Sequence, residues 1–396
     1  MRRAPLPVSK PDSLIGMTTV DLSASERSRY LRHLLLDEVG ERGQLALKRA
    51  SVLCIGAGGL GSPALLYLAA AGVGRIGVVD PDVVDESNLQ RQVLFDTADV
   101  GKPKAERARD KLRALNPHIE VVPFPVRLDE TNGEQLLSGF DAIMDGTDNF
   151  STRYLVNDLA LKQGKPNFFG CIFKFTGQVS VFGLDPTQGC YRCVFPVPPT
   201  GDLAPDCARA GVLGVLPGMV GTYQALEFLK WKLGVGALLS GKLMMIDTLT
   251  HGFRTLRYAK NPNCPSCRNP SEIKLQGYDF ACAVETPSQR RWTEISVHDL
   301  KEKQRTTNTF LLLDVRERVE HELGNLGGEW IPVDQLAERA ALLPKDRDHP
   351  IVVYCRSGGR SARACAVLEK LGYTRLENLK GGALAWQREI DPTLKV

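Results

Sequence analysis

Residues 51–72, SVLCIGAGGLGSPALLYLAAAG, carry the clearest structural pattern in the chain. The apolar run SVLCI is typical of a short buried strand, and PALLYLAAAG is typical of a helix with Pro63 in its first turn. Between them lies GAGGLG (56–61), which has the spacing GxGxxG. A glycine loop between a strand and a helix lets the backbone approach a phosphate and points the helix N-terminus at it. The stretch therefore predicts a nucleotide-binding strand–loop–helix unit.

The segments that follow continue the alternation of strands and helices. RIGVVD (75–80) is a predicted strand, KAERARDKLRAL (104–115) a predicted helix, and FDAIMDGTD (140–148) a further strand that ends in carboxylates. This alternation predicts an α/β fold with a doubly wound, Rossmann-like parallel sheet. CIFKFTGQVSVFG (171–183) is typical of two antiparallel strands, so we expect the later part of the sheet to be mixed.

The composition is typical of an ordinary globular protein with two domains. Of the 396 residues, 43% are hydrophobic and 24% charged, and the net charge of +4 is too small and too dispersed to indicate nucleic acid. No run of about twenty apolar residues predicts a membrane span, and the N-terminus lacks the apolar core of a secretory signal. Ten cysteines without such a signal are typical of metal ligands and reactive thiols. We therefore expect a cytoplasmic protein without a membrane or nucleic-acid partner.

Changes in pattern along the chain predict its domain boundaries. Residues 1–20 are an expected disordered leader, and residues 21–270 form the predicted first domain. The stretch 271–291 is polar, lacks sustained periodicity and is predicted to be a linker. Residues 292–396, with the strand-like runs FLLLDV and IVVYC, form a second, smaller α/β domain.

Charged residues beyond the glycine loop indicate what the nucleotide site does. Asp80 ends its strand where an acid can bond a ribose hydroxyl, but the loop and this acid fit NAD, FAD and ATP alike. Arg91 and Lys104 follow, and Asp148 ends a strand where it is suited to hold Mg²⁺. Each cation alone is typical of a solvated surface. Together they favour nucleotidyl transfer, in which charge builds on phosphate oxygens and must be neutralised.

Four motifs in order, GAGGLG, VVDPDVVDESNLQRQ, VGKPKAE and DGTDN, resemble those of the adenylating enzymes related to ubiquitin activation. Over residues 25–270 the chain is most similar to the molybdopterin-synthase and thiamine-carrier adenylyltransferases, the MoeB/ThiF family. The resemblance implies that ATP adenylates the C-terminal glycine of a ubiquitin-like sulfur carrier and that pyrophosphate is released. It also implies a homodimer, because Arg32 in RYLRH matches an arginine that reaches the ATP of the other subunit.

The same resemblance assigns roles to single residues. It places the glycine loop, Asn88 and the two cations, Arg91 and Lys104, at the phosphates. It places Asp80 at the ribose and assigns magnesium to Asp148. The residues assigned to ATP and Mg²⁺ are Gly56, Gly58, Gly59, Gly61, Asp80, Ser87, Asn88, Arg91, Lys104, Asp148, Asn149 and, across the dimer, Arg32. We expect Arg91, Lys104 and Asp148 to take part in catalysis.

Two CxxC pairs, CYRC (190–193) and CPSC (264–267), are typical of a tetrahedral zinc site with four thiolates. Such a site has no open position, so we predict a structural zinc ion that stabilises the domain. Two unrelated pairs, or a redox-active CxxC, are the alternatives. The predicted ligands are Cys190, Cys193, Cys264 and Cys267.

A lone cysteine, Cys207, follows the Pro- and Gly-rich stretch PVPPTGDLAP, which is typical of a mobile crossover loop. The resemblance places here a cysteine that forms a thioester or an acyl disulfide with the carrier in some relatives. Isolated cysteines are often inert, so a catalytic and an incidental role both stay open.

Cys355 follows the strand-like run IVVY and begins the loop CRSGGRS (355–361). A loop of this composition can turn its amides toward the sulfur, while the next helix, Arg356 and Arg360 stabilise a thiolate and a bound anion. Together with FLLLDVRE and NLKGGALAW, the loop makes residues 292–396 similar to a rhodanese domain, which carries sulfur as a cysteine persulfide. NLGGEWIP stands where many rhodaneses have a stretch like GHIPGA, and we expect this departure to alter the surface more than the loop.

The two halves together predict one reaction sequence. The Cys355 persulfide attacks the adenylated glycine to give an acyl disulfide, which Cys207 or an external thiol reduces to leave a thiocarboxylate. The predicted sulfur donor is thiosulfate or a persulfide from a cysteine desulfurase. Molybdopterin, thiamine, cysteine, tRNA-thiolation and siderophore pathways all stay open. The alternatives are a NAD-dependent oxidoreductase with a zinc clip and an accessory thiol domain, and a sulfur-sensing scaffold without activity.

Overall fold

The computed structural model describes residues 21–197, 211–277, 292–307 and 309–396. The chain separates into two compact units, Met1–Phe280 and Ala281–Val396. The predicted leader and most of the predicted linker lie outside the described residues, and the domain boundaries stay predictions.

One eight-stranded sheet organises the first unit. Its strands are β1 (Ser51–Ile55), β2 (Arg75–Val79), β3 (Glu120–Phe124), β4 (Ile143–Asp145), β5 (Asn167–Phe173), β6 (Thr176–Phe182), β7 (Lys242–Asp247) and β8 (Gly252–Arg257). Their spatial order is β3-β2-β1-β4-β5-β6-β7-β8. Neighbours from β3 to β5 are parallel, and neighbours from β5 to β8 are antiparallel. The predicted Rossmann-like sheet that becomes mixed is confirmed.

Helices cover both faces of this sheet. They are α1 (Ala24–Arg29), α2 (Leu31–Leu34), α3 (Gly40–Arg49), α4 (Gly61–Ala71), α5 (Lys104–Leu115), α6 (Gly133–Ser138), α7 (Phe150–Lys162), α8 (Tyr191–Val194) and α9 (Val215–Leu233). Ser23 caps α1 and forms a capping box with Glu26. Helix α4 begins at Gly61, two positions before Pro63.

Alternate residues of the central strand face two separate cores. Val52 and Cys54 pack with Leu65 of α4 on one side, whereas Leu53 and Ile55 pack with α7 on the other. Because both faces are covered, β1 is an apolar run without polar alternation. This burial is why the sequence predicted the strand clearly.

The last described residues of the first unit pack against it. Ile273 follows a short 3₁₀ helix, Pro270–Glu272, and is buried, while Leu275 contacts the core beside α7. Residues 271–277 of the predicted linker therefore contribute to the packing of the first unit.

The second unit contains a five-stranded, fully parallel sheet. Its strands are β9 (Thr293–Ile295), β10 (Leu311–Asp314), β11 (Glu329–Trp330), β12 (Ile351–Tyr354) and β13 (Leu376–Leu379), in the order β11-β10-β12-β13-β9. Its helices are α10 (Val297–Thr306), α11 (Arg318–Leu323), α12 (Gly359–Lys370) and α13 (Gly382–Glu389). Apolar clusters lie on both faces of the sheet, so this unit has a core of its own. In the described parts of both units, no helix has the length and apolar character needed to cross a membrane.

Candidate functional site

A cavity of 250 Å³ lies at the carboxyl ends of β1, β2 and β4. In the sheet, β1 lies between β2 and β4, and ligands of doubly wound sheets bind where the strand order reverses in this way. Eight of the predicted nucleotide-site residues line it: Gly56, Gly58, Gly59, Asp80, Arg91, Lys104, Asp148 and Asn149.

Two glycines give the loop its tight turn. Gly56 has a φ of +93°, a left-handed conformation that favours glycine. A Cβ on Gly61 would lie 2.0 Å from the carbonyl oxygen of Gly56, so a side chain there would prevent the chain from starting α4. Gly61 therefore shapes the loop without lining the cavity, and Gly58 and Gly59 form part of its wall.

Asp80 holds the glycine loop from the end of β2. Its carboxylate accepts hydrogen bonds from the backbone N–H groups of Ala57, at 2.8 Å, and Asp82, at 2.9 Å. The side chain is buried, and burial raises its pKa although Lys104 and the two N–H groups act in the opposite direction. One carboxylate thus both fixes the loop and forms part of the cavity wall.

Arg91 and Lys104 bring positive charge to the cavity. Lys104 is the first residue of α5 and is 5% exposed, and its Nζ lies 3.2 Å from Oδ2 of Asp82. Arg91 is half-buried and donates through Nη1 to the carbonyl oxygen of Ser87 at 3.0 Å. The cavity therefore has the charge that a polyphosphate requires.

Ser87 and Asn88 do not line this cavity. They form a 3₁₀ turn in which the Asp85 carboxylate accepts the N–H of Ser87 at 2.9 Å, and Oδ1 of Asn88 accepts the N–H of Asp85 at 3.4 Å. In this structure they shape the turn that precedes Arg91. Arg32 lies on α2 with an exposed side chain and does not line the cavity of its own chain.

The segment after β4 completes the cavity wall. Asn149 caps α7, because its side chain accepts the N–H of Thr152 at 2.9 Å. Asp145 lies behind it, fully buried, where it accepts the hydroxyl of Thr147 at 2.6 Å and where burial raises its pKa. Asp148 offers one carboxylate to the cavity. Mg²⁺ is commonly held by one or two carboxylates together with substrate phosphates, so this donor fits the ion.

Several cavity residues were not predicted from the sequence, namely Gln92, Arg127, Thr147, Thr152 and Arg153. Gln92 is buried, and its Oε1 has no hydrogen-bond partner among the described residues. Its position beside Arg91 in the quoted motif was a usable signal. Arg127 follows β3, and Arg153 lies in the first turn of α7. The sequence patterns identified neither of these two elements.

The four predicted zinc ligands come together although 70 residues separate the two pairs along the chain. The sulfur–sulfur distances are 3.9 Å for Cys190–Cys193, 3.6 Å for Cys190–Cys264 and 3.4 Å for Cys193–Cys267. Four sulfurs held tetrahedrally about 2.3 Å from one zinc ion lie about 3.8 Å apart, so the cluster fits the ion. A hydrogen bond between Cys190 and Cys264 lowers the pKa of Cys264. Cys207 lies outside the described residues.

Cys355 lies just after β12 and is 1% exposed. Its Sγ has two hydrogen-bond donors, the backbone N–H of Gly358 at 3.2 Å and the hydroxyl of Ser361 at 3.3 Å. Helix α12 begins at Gly359, so its first turn adds the positive end of a helix dipole. The carbonyl oxygen of Cys355 accepts the N–H of Ala383 at 2.8 Å, which ties the loop to α13. This surrounding stabilises negative charge on the sulfur.

The two loop arginines have different surroundings. Arg360 forms a bidentate ion pair with Glu320 of α11, with both N–O distances 2.5 Å. Burial alone would raise the pKa of Glu320, but this pair outweighs it and lowers the pKa. Arg356 is half-buried, and its Nε has no hydrogen-bond partner among the described residues. Arg356 therefore has donor capacity left for an anion.

A switch-point cavity with cations for a polyphosphate is typical of nucleotide-using enzymes, and the loop around Cys355 is suited to a second, thiol-based chemistry. The model of the ThiF family matches residues 30–266, and that of the Rhodanese-like domain matches residues 296–389. The chain belongs to the ThiF family and carries a C-terminal rhodanese-like domain.

Similar proteins include whole-length relatives. The chain is 42% identical over 382 residues to the probable adenylyltransferase/sulfurtransferase MoeZ of Mycobacterium tuberculosis, covering 94% of this chain and 96% of that protein. It is 40% identical over 403 residues to the adenylyltransferase and sulfurtransferase MOCS3 of Mus musculus, covering 94% and 87%. The structure of E. coli MccB with MccA-N7isoASN has a TM-score of 0.53 at 23% identity, covering 61% of this chain and 74% of that chain, and it shows the fold alone.

These findings confirm the predicted family, fold class and enzyme class, an adenylyltransferase and sulfurtransferase. The oxidoreductase alternative receives no support from these relatives.

Proposed function

We propose that this enzyme uses ATP to adenylate the C-terminal glycine of a ubiquitin-like sulfur carrier and then converts that carboxylate to a thiocarboxylate. The carrying observation is that one chain combines a cationic nucleotide cavity with a cysteine in an anion-stabilising loop. A relative from Thermus thermophilus, 50% identical over 264 residues and covering 65% of this chain and 97% of that protein, is named a sulfur carrier protein adenylyltransferase. Its name supports a carrier as the substrate.

In the first half-reaction, a carboxylate oxygen of the carrier attacks the α-phosphorus of ATP, and pyrophosphate leaves. Arg91 and Lys104 neutralise the charge that builds on the phosphate oxygens. Asp148 would hold a magnesium ion, which would supply further positive charge for the phosphate oxygens. Asp80, held by the backbone N–H of Ala57 in the loop, accepts a ribose hydroxyl.

In the second half-reaction, the outer sulfur of a Cys355 persulfide attacks the carrier's acyl carbon, and AMP leaves. The product is an acyl disulfide between the carrier and Cys355. The thiolate of Cys207 or of an external thiol then attacks Sγ of Cys355, so that the acyl disulfide bond breaks and the thiocarboxylate leaves. A disulfide now joins Cys355 to the attacking thiol, and a second external thiol reduces it and frees Cys355. Gly358 and Ser361 stabilise the thiolate character that Cys355 gains when its S–S bond breaks.

Thiosulfate or the persulfide of a cysteine desulfurase supplies the sulfur in this scheme. Arg356 supports an anionic sulfur donor, because Nε of its guanidinium has no hydrogen-bond partner in the described structure. The fit of the four cysteines supports a structural zinc ion. A cytoplasmic location is part of the proposal, since zinc thiolates and a persulfide need a reducing compartment.

We also propose a homodimer in which Arg32 reaches the other subunit's nucleotide. Arg91 lines both the nucleotide cavity and an apolar groove between α4 and α9. The exposed apolar side chains of that groove are Tyr67, Val93, Val215 and Leu226. Around Arg32, α2 and the turn after it expose Leu31, Leu35 and Leu36. A second copy that covers the groove with these leucines would bring its Arg32 toward the phosphates.

The decisive experiment mixes the enzyme with ATP, Mg²⁺, thiosulfate and a reductant, adds one candidate carrier at a time, and weighs each carrier intact by mass spectrometry. A carrier that exchanges one oxygen for sulfur supports both half-reactions. A carrier that gains only AMP supports adenylation and argues against thiosulfate as donor. If no carrier of any of the named pathways changes mass, and none promotes ATP–pyrophosphate exchange, the proposal is wrong.

A further inference from the structure

Helix α7 has one end at the nucleotide cavity. Asp148 and its cap Asn149 precede it, and Thr152 and Arg153 of its first turn also line the cavity. Nη2 of Arg153 donates to the carbonyl oxygen of Thr147 at 3.0 Å, which joins the helix to the segment after β4. The direction and position of α7 therefore determine where Asp148 and Asn149 lie in the cavity wall.

The middle of the same helix is held by a buried carboxylate. Asp158 is 2% exposed, and its Oδ1 accepts hydrogen bonds from Nε of Arg192 at 3.0 Å and from the hydroxyl of Ser266 at 2.6 Å. Its Oδ2 accepts a bond from Nη2 of Arg192 at 2.8 Å. The neighbouring Asn157 also participates, since its Oδ1 accepts the N–H of Tyr191 at 3.0 Å.

The partners of Asp158 lie inside the two cysteine pairs. Arg192 is an inner residue of CYRC, and Ser266 is an inner residue of CPSC. With the cysteines clustered, both inner residues lie within hydrogen-bond distance of Asp158. A zinc ion would enforce that arrangement, because it fixes four sulfurs at once.

From this arrangement we infer that Asp158 is a positioning residue that couples the four-cysteine site to the Asp148–Asn149 end of the nucleotide cavity. The cysteine site holds Arg192 and Ser266, these hold Asp158, and the helix carries the constraint along to its first turn. A buried carboxylate without partners would cost free energy, so Asp158 has to stay paired with Arg192 and Ser266. The position of α7 therefore depends on where these two residues lie. The inference deepens the proposed function, since it concerns the ATP site of that proposal.

Asp158→Asn tests the link, because it keeps the side-chain size and removes the charge. The matched control is Glu227→Gln, a buried acid of α9 whose carboxylate pairs with Lys230 at 2.6 Å and does not line the cavity. For both variants and the wild type, bound zinc is counted, hydrogen exchange is measured in peptides from α7 and α9, and ATP binding is titrated. If Asp158→Asn does not fold, Ser266→Ala replaces it, since it removes one hydrogen bond and keeps the ion pair.

We expect Asp158→Asn to keep its zinc, to exchange the first turn of α7 about tenfold faster and to bind ATP about tenfold more weakly, as the loss of a charge-assisted hydrogen bond predicts. Exchange in α9 stays at the wild-type rate. Chelation of zinc also accelerates hydrogen exchange in this α7 peptide of the wild type. In Asp158→Asn, chelation raises the exchange rate by less than about a further twofold, because the substitution has already broken the link between the cysteine site and α7.

Unchanged α7 exchange in zinc-loaded Asp158→Asn would overturn the inference, as would an equal acceleration of α7 and α9. So would additive effects of chelation and substitution. A wild-type enzyme that does not bind ATP would contradict the proposed function instead, and the exchange measurements would still decide whether the cysteine site controls α7.

Discussion

The carboxylate of Asp80 lies 2.8 Å from the backbone nitrogen of Ala57 and accepts its hydrogen bond, which fastens the end of β2 to the glycine loop after β1. The acid is buried, and burial raises its pKa. Keeping Asp80 ionised in the folded state therefore lowers the free energy of unfolding. The glycine loop and the acid form one unit, and the loop's shape depends on a residue from the next strand.

Asp80→Asn should weaken ATP binding about tenfold, because an amide cannot accept from both Ala57 and Asp82 and also serve the ribose. Titration calorimetry with ATP measures the effect. Asp141→Asn is the control, since this acid precedes the first residue of β4, at the end of the strand away from the cavity. Nζ of Lys232 donates to its carboxylate at 2.7 Å. Equal ATP affinities of Asp80→Asn and the wild type would show that the carboxylate has no part in binding.

Cys355→Ala should abolish thiocarboxylate formation and leave ATP–pyrophosphate exchange within about twofold of wild type, because the two chemistries lie in separate units. Intact-mass measurement after incubation with thiosulfate should show one added sulfur on the wild type and none on the variant. Cys365→Ala, a second buried cysteine of the same unit, should keep the added sulfur. Loss of exchange in Cys355→Ala would contradict this division.

Cys264→Ser should lose the zinc ion and lower the unfolding temperature of the first unit by more than about 5 °C, since a structural site contributes its binding energy to folding. Metal analysis and calorimetry measure the two effects. Cys171→Ser should keep a full complement of zinc because this cysteine lies outside the cluster. A zinc-free wild type would refute the prediction at once.

Mixing Arg32→Ala with Lys104→Ala subunits should restore about a quarter of wild-type exchange activity if the sites are shared. Half of the randomly formed dimers would be mixed, and each of these would contain one site with both cations intact. The activity of each variant alone, expected to be at least about tenfold below wild type, provides the baseline. No recovery on mixing would place Arg32 outside the partner's site, provided that the mixed dimer is detected by native mass spectrometry.

The rhodanese-like unit should lose stability in acid. Asp314 is fully buried and accepts bonds from Arg316, at 2.7 Å, and from His321, at 2.9 Å. Burial alone would raise the pKa of Asp314, but these partners hold it below the ordinary value of 3.8. Glu320, paired with Arg360, likewise has its pKa below 4.5. A depressed folded pKa adds stability above the unfolded value and loses it as pH falls through the folded value.

We therefore expect an unfolding free energy that is level above about pH 5 and falls below about pH 4. Urea titrations followed by tryptophan fluorescence measure it. Asp314→Asn should be less stable by about 3 kcal/mol at pH 7, because it leaves Arg316 buried without its charge partner. Its stability should also fall less steeply in acid. A wild-type curve as steep at pH 6 as at pH 4 would point to other groups.

Local patterns were sufficient for much of this protein. The strand before GAGGLG is apolar because both of its faces are buried, and the glycine spacing reflects a contact between residues five apart, so both can be recognised in a short window. The same holds for the two CxxC pairs and for CRSGGRS, in which the amide, the hydroxyl and the sulfur belong to one turn.

Long-range contacts needed the tertiary structure. Helix α9 was not predicted, because glycines interrupt its pattern, yet Gly221 is what lets it lie against the backbone of Leu60. Arg127 and Arg153 reach the cavity only because parallel strands end at one edge of the sheet.

By itself the sequence determined the α/β class, the cysteine pairs, the loop around Cys355 and eight residues of the cavity wall, because each rests on residues close together in the chain. The tertiary structure alone decided that Gly61, Ser87 and Asn88 shape the site without lining the cavity, and that Arg360 is paired with Glu320. It alone joined Asp158 to Arg192 and Ser266. Those contacts span distant parts of the chain, and their geometry follows from how the packed layers meet.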